Sequence, residues 1–436
     1  MWPYHPELLA TPVPRYTSYP TAAEFGPIDG STFARELQHA EGEVSLYVHI
    51  PFCEKICHYC GCNTAAAGRR QRLEAYLDAL HHEIALVADR LPQSVSVTRV
   101  SFGGGSPNAV TALDFARLLN CLTAHFRLDD PLISVELDPR VMSEDWAEVI
   151  ASSGITRASL GVQTFAPGAQ VAIGRVQPFE MIERTVRWLR DGGINSLNLD
   201  LMYGLPGQAW GDLEDTLASS LELGADRIAL FGYAHVPHLI PRQRAIPDHD
   251  LPGMKARFEM AERGFEYLTS HGYAPVGFDH FARPPDPLAL AASEGRLHRN
   301  FQGFTDDPAP ILIGLGASAI SSFPQLLAQT EKNGGRYRML LSQDHLPVAN
   351  GIIRSAEDRY RGAVIERLLC SGEARLGGRL MHENRAALQP FIERGLAEIC
   401  NDTLTILQRG LPYSRTIAAL FDSYRQDSQR RFSSAV

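Results

Sequence analysis

Between residues 45 and 270, hydrophobic and polar residues are arranged as β-strands that are each followed by an α-helix. Six short apolar runs, rich in Val, Ile, Leu and Phe, have the length and composition of buried strands. After each run, apolar residues recur every three or four positions, which is the spacing of one helix face. The predicted strands are Ser45–Ile50, Thr98–Phe102, Leu132–Leu137, Arg157–Val162, Ser196–Met202 and Arg227–Tyr233.

The intervening helices carry their own start and stop signals. A helix over Arg72–Arg90 places a row of leucines on one face. Ser143 is the expected N-cap of a helix that ends before Gly154. Pro178 lies in the first turn of another helix, which Gly192-Gly193 terminates. Further helices are predicted over Leu113–Phe126, Leu213–Leu223 and Met254–Thr269.

Strands that alternate with helices form parallel βαβ units with right-handed crossovers. Six such units fall short of the eight that close a barrel. We therefore predict an α/β fold whose centre is an open barrel of about three quarters of a full turn.

Four regions follow from where this alternation starts and stops. Residues 1–35 form a Pro-rich, mostly irregular arm, and residues 36–275 form the partial barrel. Residues 276–354 form an extension of the barrel with loops near the site, and residues 355–436 a small α-rich C-terminal domain. The loops predicted in the extension include Asp279–Arg283 and Leu297–Thr305. The C-terminal elements are predicted as helices Arg361–Cys370 and Leu380–Arg394 and a hairpin Ala397–Leu407 that turns at Asn401-Asp402.

Composition narrows the class of protein. The chain has 436 residues, 44% of them hydrophobic, which suffices for a large core without disulfide bonds. A formal net charge of −9 argues against nucleic acid as the main partner. No apolar run approaches the ~18–20 residues that span a bilayer, and no secretory signal is present. We expect a cytoplasmic protein with no membrane or nucleic-acid partner.

Four of the seven cysteines fall within ten residues, at Cys53, Cys57, Cys60 and Cys62. In a reducing cytoplasm, such a group indicates a bound metal or cluster rather than disulfides. A structural zinc site joins two close pairs across a spacer of ~12–20 residues, and the second pair is missing. Three thiolates at this spacing suit an iron–sulfur cubane whose fourth iron is open to a small-molecule chelate. The role of Cys62 stays open, because ligands one residue apart rarely reach neighbouring corners.

Polar or Gly-rich segments follow the carboxyl end of each predicted strand, where α/β barrels build their sites. The cysteine run follows the first strand, and the turn Gly103–Pro107 follows the second. Glu136 and Asp138 lie at the end of the third strand, and Gln163 follows the fourth. The fifth strand carries Asp200 and leads into Tyr203–Gly207, and the sixth ends in Tyr233–His235. Taken alone, a glycine turn is more often a tight corner, and a strand carboxylate is often only a structural partner.

The cysteine loop, the Gly-rich turn and the six-fold alternation are together similar to those of radical S-adenosylmethionine enzymes. Longer segments resemble, more narrowly, the family of oxygen-independent coproporphyrinogen III oxidases. This resemblance runs from about residue 12 to about 425 and weakens after about 370. The segments that carry it are Pro14–Thr21, Tyr47–Cys53, Cys60–Asn63, Asp279–Pro284 and Leu297–Gly303.

The resemblance implies a TIM-like open three-quarter (βα)6 barrel and a 4Fe–4S cluster that binds S-adenosylmethionine at its open iron. Electron transfer would cleave this molecule to methionine and a 5′-deoxyadenosyl radical, which takes a β-hydrogen from a propionate of coproporphyrinogen III. Loss of CO2 and one electron leaves a vinyl group, and a second round gives protoporphyrinogen IX. We expect two S-adenosylmethionine molecules, a reducing donor such as flavodoxin or ferredoxin, and a monomer.

The resemblance also implies roles for individual residues. Cys53, Cys57 and Cys60 match the cluster ligands, Gln302 and Cys62 are the expected catalytic residues, and Arg15 lies in an arm that closes over the substrate. The first S-adenosylmethionine is expected to contact Tyr47, Gly104, Glu136 and Ile320. The second is expected to contact Tyr59, Gly105, Ser106, Gln163, Arg175, Asp200 and Ala234.

Two other functions are compatible with the same barrel. A haem-trafficking chaperone of a sister family would bind haem and pass it on. Such relatives generally lack the fourth cysteine and the Arg-Tyr-Thr-Ser-Tyr-Pro arm, which are present here as Cys62 and Arg15–Pro20. The second alternative is a radical enzyme that acts on another tetrapyrrole. Tyr59 and Ser106 stand where the family carries Phe and Thr, which bears on packing against the second cofactor molecule.

Overall fold

The computed structural model describes residues 1–68 and 70–425. The strands of the first half are β1 (Gly26–Pro27), β2 (Glu43–Ile50), β3 (Phe52–Cys53), β4 (Ala65–Ala66), β5 (Ser96–Gly104), β6 (Leu128–Leu137), β7 (Ile155–Gln163), β8 (Ser196–Tyr203) and β9 (Arg227–Gly232). The helices are α1 (Pro6–Leu9), α2 (Gly30–Gln38), α3 (Arg70–Ala88), α4 (Ala112–His125), α5 (Glu144–Ser152), α6 (Pro167–Ala172), α7 (Phe179–Asp191), α8 (Trp210–Glu222) and α9 (Met254–Ser270).

The six predicted strands are confirmed as the parallel centre of a 13-stranded sheet, in the order β2-β5-β6-β7-β8-β9. Each successive βα unit adds a strand at the same edge, as right-handed crossovers require. Strand β2 is buried along seven of its eight residues, which explains its continuous apolar run. The α/β class is therefore confirmed.

The helix signals are confirmed residue by residue. The Ser143 hydroxyl accepts a hydrogen bond from the Trp146 N–H and caps α5. Helix α7 begins directly after Pro178, and Gly192 lies at its C-terminal cap. In α3 the predicted leucine row, including Leu77 and Leu80, is buried. Burial of each such side chain stabilises the fold by about 1.5–3 kcal/mol.

The extension contains more strand than its sequence predicted. Its strands are β10 (Ala274–Val276), β11 (His280–Ala282), β12 (His298–Asn300), β13 (Gly303–Thr305), β14 (Ile311–Leu315), β15 (Ile320–Ser322), β16 (Leu326–Thr330) and β17 (Val348–Ile353), and its helices are α10 (Pro287–Ser293) and α11 (Gly334–Leu341). The loop prediction was wrong for Asp279–Arg283 and Leu297–Thr305, which hold β11 and the hairpin β12–β13. Three-residue strands are too short to display a period of two. Strand β14 adds a seventh parallel strand beside β2.

Charged side chains join the amino ends of the parallel strands to the loop after β13. Arg99 and Arg157 both donate to the Asp306 carboxylate, at 2.8 Å to Oδ1. Arg99 also lies 3.4 Å from Asp307, which accepts a hydrogen bond from the Ser45 hydroxyl. We call Arg99, Arg157, Asp306 and Asp307 the basal ion network. Its two cations and two carboxylates are matched and mostly buried.

The C-terminal region mixes helix and sheet. Its elements are α12 (Ala356–Ser371), β18 (Glu373–Arg375), α13 (Gly378–Glu393), β19 (Ala397–Cys400), β20 (Thr403–Ile406) and α14 (Ser414–Ala418). The predicted hairpin is confirmed as β19–β20, and Asn401 and Asp402 both have positive φ, as a two-residue hairpin turn requires. Strand β18 was not predicted. Residues 426–436 of the predicted domain lie outside the described residues.

The N-terminal arm packs against this C-terminal region. Leu9, Val13, Tyr16 and Tyr19 share a buried apolar cluster with the segment 364–421. The Tyr16 hydroxyl donates to Asp422 at 2.9 Å. In the described part of the chain, no helix has the length and apolar character to cross a bilayer. The limits of the four predicted regions stay predictions.

Candidate active site

The cysteine loop leaves β2 and is held against the carboxyl end of the sheet. Cys53 lies in β3, which pairs with β4 and so fixes the base of the loop. Each of three thiols receives a donor: Ser106 Oγ lies 3.8 Å from Cys53, and the Cys62 N–H lies 3.4 Å from the sulfur of Cys60. The third, Cys57, accepts from two arginines. Cys62 itself is exposed.

This donor set fits thiolate ligation of an iron–sulfur cluster. The thiol of Cys62 donates to Cys60 and lowers the pKa of Cys60 to about 6, an effect supported by nearby arginines. Burial raises the pKa of Cys53 to about 11. In residues 1–68 and 70–425, no three His, Cys, Asp or Glu side chains converge around a single ion. A cubane is held by cysteine thiolates, each of which takes its own iron. Cys53, Cys57 and Cys60 would hold it.

Beside the loop, the turn after β5 brings backbone into contact with Glu136. The Gly104 N–H donates to Glu136 Oε2 at 3.3 Å. Gly104 has φ +115°, and a side chain there would strike the ring of His49 at 2.7 Å. Gly105 lies so close to Phe52 that a Cβ would come within 2.4 Å of its carbonyl oxygen. The glycines of this turn therefore allow His49 and Phe52 to pack closely against its backbone, which a simple corner would not require.

Glu136 is a half-buried carboxyl that makes no ion pair with any residue in 1–68 or 70–425. Burial raises its pKa to about 7, and the nearby carboxylate of Asp200 adds to the shift. Asp200 accepts hydrogen bonds from Ser159 and Asn198, and its burial also raises its pKa. Two adjacent acids whose pKa values are raised favour a cationic or hydroxyl-rich ligand between them. Both line a cavity of about 310 Å³ inside the sheet.

Tyr47 connects this group to the extension. Its hydroxyl lies 3.0 Å from His49 Nδ1, and its ring packs edge-on against Phe301 at 4.7 Å. Burial lowers the pKa of His49 to about 4, so this imidazole is neutral. Tyr47 and Phe301 also share an apolar cluster with Ala319, the neighbour of Ile320. Tyr47 and Ile320 are far apart in the sequence, and the sheet brings them close together in space.

Arg175 has a partner within the chain. Its guanidinium pairs with both oxygens of Asp138 at 3.3 Å and lies 3.4 Å from the sulfur of Cys57. Arg140 reaches the same sulfur at 3.3 Å and the same carboxylate at 2.6 Å. Burial alone would lower the pKa of Arg175, but the negative groups around it outweigh burial and raise this pKa above its usual value. Two cations therefore face one carboxylate and one cluster thiol.

One residue that sequence reasoning missed, Gln243, connects two predicted ones. The amide of Gln243 donates to the carbonyls of Tyr59 and Ala234, at 2.8 and 3.0 Å, and so connects two contacts predicted for the second cofactor. Gln163 has φ +68° at a register shift between β7 and β8, which turns its backbone at the strand end. Gln243 lies in a short 3-10 helix with no periodic signal.

The two predicted catalytic residues do not share the cavity that Gln302 lines. Gln302 is exposed, follows β12 and lines the 310 Å³ cavity with Glu136 and Asp200. Ile320 lines a second cavity of about 500 Å³, together with Tyr16–Tyr19 of the arm. Cys62 lines neither of these cavities. The assignments of these side chains stay predictions.

Comparison with known proteins agrees with this geometry. A model of the radical SAM superfamily matches residues 47–219. The oxygen-independent coproporphyrinogen III oxidase of Bradyrhizobium diazoefficiens is 40% identical and covers 97% of this chain and 97% of its own. That of Synechocystis is 36% identical over 97% and 96% of the two chains. A solved structure of the Escherichia coli coproporphyrinogen III oxidase, described as a radical SAM enzyme, has a TM-score of 0.90 and 35% identity and covers 97% and 99%.

The cysteine loop at the end of β2, within residues matched by the superfamily model, defines the class as radical SAM. Because the similar proteins cover nearly all of this chain, the similarity also includes the arm and the C-terminal region. The chain belongs to the family of oxygen-independent coproporphyrinogen III oxidases.

Proposed function

We propose that this chain oxidatively decarboxylates two propionates of coproporphyrinogen III to vinyl groups and forms protoporphyrinogen IX in haem biosynthesis. The observation that carries the proposal is end-to-end similarity to named oxidases at 40% identity, together with three thiols on one loop beside a buried acid pair. S-adenosylmethionine is the co-substrate and leaves as methionine and 5′-deoxyadenosine.

When bound, a 4Fe–4S cluster supplies the electron that cleaves S-adenosylmethionine. Cys53, Cys57 and Cys60 would hold it, and the arginines beside Cys57 would stabilise the thiolate charge. Gly104 and Glu136 lie at the next strand ends, where the Gly104 backbone permits close approach and Glu136 accepts hydrogen bonds from an ammonium or from ribose hydroxyls. Tyr47 packs beside them and excludes water.

A second S-adenosylmethionine is part of this proposal. Its contacts are Tyr59, Gly105, Ser106, Gln163, Arg175, Asp200 and Ala234. The hydrogen bonds from Gln243 to Tyr59 and Ala234 support a shared wall for that group. Because the three side-chain nitrogens of Arg175 already donate to Asp138, Cys57 and the Gly161 carbonyl, its role there is to hold the Cys57 side of the wall.

We further propose that the parallel strands curve into an open three-quarter barrel and that the C-terminal region is a separate domain. The chain acts as a cytoplasmic monomer that receives electrons from a donor such as flavodoxin or ferredoxin. Gln302 and Cys62 contact the reacting end of the substrate. The cavity of about 500 Å³ beside the arm has a volume suited to a large ligand.

Anaerobic reconstitution with iron and sulfide, followed by chromatography of the tetrapyrroles formed from coproporphyrinogen III, tests the function. We expect monovinyl and then divinyl product, equal amounts of methionine and 5′-deoxyadenosine, and dependence on reductant. Tight haem binding without turnover would instead support a haem-trafficking chaperone. Turnover of a different tetrapyrrole, with coproporphyrinogen III unchanged, would support the other radical enzyme.

Cys57→Ser and Cys62→Ser separate the roles within the loop. We expect Cys57→Ser to lose the cluster and cleavage of S-adenosylmethionine, and Cys62→Ser to keep the cluster. Iron content and the visible spectrum report the cluster independently of turnover. The reverse pattern would contradict the ligand assignment.

A further inference from the structure

The segment that follows β9 reaches back to the cysteine loop. We call residues 236–246 the bracket segment. Its Arg242 donates from Nη1 to the Thr64 hydroxyl at 3.1 Å, and its Gln243 donates from Nε2 to the Tyr59 carbonyl at 2.8 Å. These pairs are 178 and 184 residues apart in the sequence. The bracket segment therefore holds the cysteine loop at points that lie before and after its third cysteine.

Gln243 uses its whole side-chain amide for such bonds. Nε2 donates to the carbonyls of Tyr59 and Ala234, and Oε1 accepts from the Val236 N–H at 2.6 Å. Only 1% of Gln243 is exposed, whereas Arg244, the next residue of the same 3-10 helix, is exposed. A buried polar group that loses its partner is costly, so this amide holds its three partners in fixed positions.

The peptide group between Tyr59 and Cys60 is held at both of its polar atoms. Its oxygen belongs to Tyr59 and accepts from Gln243. Its N–H belongs to Cys60 and donates to the Cys57 carbonyl at 3.4 Å. Rotation of this peptide would break both hydrogen bonds at once. Because the peptide directly precedes the Cα of Cys60, its orientation sets the direction in which the Cys60 side chain leaves the backbone.

The ring of Tyr59 depends on the same segment. It packs against a buried apolar cluster that includes Ile173, Tyr233 and Ile246. Ile246 is the last residue of the bracket segment, and its N–H donates to the Gln243 carbonyl at 3.0 Å. The bracket segment thus contacts both the backbone and the ring of Tyr59.

The bond to Tyr59 goes beyond what the loop after β9 needs for itself. Ala234 and Val236 are only nine and seven residues from Gln243, so bonds to them close a local loop. The bond to Tyr59 instead joins this loop to the ends of two other strands, through the cysteine loop after β2 and the apolar cluster beside it.

We propose that Gln243 is a positioning residue of the cofactor site, which fixes the peptide before Cys60 and joins it to Ala234. The cysteine loop and the loop after β9 then keep one relative position. This inference rests on the proposed function, because it takes Tyr59 and Ala234 to be contacts of S-adenosylmethionine. Gln243 itself contacts neither cofactor nor substrate and acts through the main chain of these two residues.

Two substitutions separate the donor half of the amide from its acceptor half. Gln243→Met has a side chain of similar length and makes none of the three hydrogen bonds. Gln243→Glu keeps an oxygen for the Val236 N–H and, when ionised, has no donor for the carbonyls of Tyr59 and Ala234. Gln343→Met, at an exposed position after α11, is the control.

The first measurement is hydrogen exchange of the cluster-free protein at about pH 8, where glutamate is ionised. Mass spectrometry follows the peptides that contain Cys60 and Val236. We expect the Cys60 amide to exchange about tenfold to hundredfold faster in both Gln243 variants. The Val236 amide should exchange faster in Gln243→Met and stay protected in Gln243→Glu, and the control should match the wild type.

The second measurement is equilibrium binding of S-adenosylmethionine to the anaerobic holoenzyme. We expect both Gln243 variants to keep the iron content of the wild type and to bind S-adenosylmethionine about tenfold more weakly. A residue that only supported the fold would not combine an intact cluster with weaker binding of this molecule.

Each other outcome overturns the proposal in its own way. A Cys60 amide with wild-type exchange in both variants would confine Gln243 to the loop after β9. Faster exchange with unchanged S-adenosylmethionine affinity would make the clamp structural. Loss of iron together with faster exchange would assign Gln243 to support of the cluster ligands alone. Where Gln243→Met fails to fold, Gln243→Glu and Gln243→Asn, whose amide is one methylene shorter, supply the same comparison.

The proposed function is judged separately by the wild type. If wild-type holoenzyme forms no vinyl product from coproporphyrinogen III, while exchange and binding change as expected in the variants, the positioning role stands and the reaction assignment fails. If it forms the product and the variants exchange and bind normally, the reaction stands and the positioning role fails.

Discussion

The basal ion network and the Arg140–Arg175–Asp138 group are both built from arginines and aspartates, yet their charges are arranged differently. In the network, Asp306 accepts from two arginines and Asp307 supplies a second negative charge. In the Arg140–Arg175–Asp138 group, two guanidinium groups face one carboxylate, and both also reach the Cys57 sulfur. Matched charges fix a structure, whereas surplus positive charge remains to act on the neighbouring thiol.

The strongest test of this comparison is Asp306→Asn, which leaves Arg99 and Arg157 without their shared carboxylate. Removing one member of a buried ion pair costs about 3–5 kcal/mol, so we expect the free energy of unfolding to fall by that amount. Denaturant unfolding measures it. Asp344→Asn, in an exposed pair with His82, should change it by less than about 1 kcal/mol. Equal effects of the two substitutions would show that the network is not structural.

The Arg140–Arg175–Asp138 group is tested by Arg175→Gln. Losing a cation close to a cluster thiolate removes about 1–4 kcal/mol of attraction and makes the cluster harder to reduce. We expect normal iron content, a more negative reduction potential in an EPR-monitored titration, and slower cleavage of S-adenosylmethionine without substrate. Arg117→Gln, at an exposed site on α4, is the control. A potential equal to that of the wild type would leave Arg175 with a structural role through its bonds to Asp138 and Gly161.

The pH dependence of stability should separate Asp306 from Glu136. Burial alone would raise the pKa of Asp306, but Arg157 and Arg99 hold this pKa well below its usual range. The contribution of Asp306 to the free energy of unfolding is therefore complete above about pH 4 and is lost only below that pH. Burial raises the pKa of Glu136 to about 7, and its ionisation therefore costs stability as the pH rises from about 4.5 to 7.

Comparison of each carboxyl with its amide variant measures this difference. We expect Glu136→Gln to gain about 1 kcal/mol per pH unit relative to the wild type across that interval. The deficit of Asp306→Asn should be constant from pH 5 to 8. Thermal unfolding of the cluster-free protein at several pH values gives both curves. Parallel curves for the two variants would contradict the assigned environments.

The smallest expected effect on stability belongs to Arg15. Arg15 is exposed, and its guanidinium donates to the carbonyl of Gly232 at 3.2 Å. We expect Arg15→Gln to change the free energy of unfolding by less than about 1 kcal/mol, while Arg157→Gln destabilises the fold severalfold more. Denaturant curves compare the two. A large loss for Arg15→Gln would make Arg15 as structural as the network.

Long, strongly patterned elements could be predicted from the sequence. The six parallel strands and α3 have enough residues to display their burial pattern, and the Asn401-Asp402 turn has a strong local signal. Strands β11–β13 and β18 have three residues each, so their pairing is decided by neighbours in space. Strand β14 was missed because no helix pattern follows its apolar run, although it pairs directly with β2.

Within the site, the local motifs were predictable and the long-range partners were not. The cysteine spacing and the glycine turn are contained within a few residues, and their geometry agrees with their expected proximity. The pairing of Arg175 with Asp138 joins the segment after α6 to the end of β6, and Gln243 reaches Tyr59 from a segment without a motif. No local pattern connects these partners.

The contact between the arm and the C-terminal region also sets an order for biosynthesis. Leu9 to Tyr19 leave the ribosome early, whereas the segment 364–421 that buries them is made near the end. At about 5–20 residues per second, the arm waits roughly 20–70 s for its partner. Throughout that time its tyrosines stay uncovered and the cavity that it borders stays open. Translation itself therefore delays closure of this side of the site until almost the whole chain has emerged.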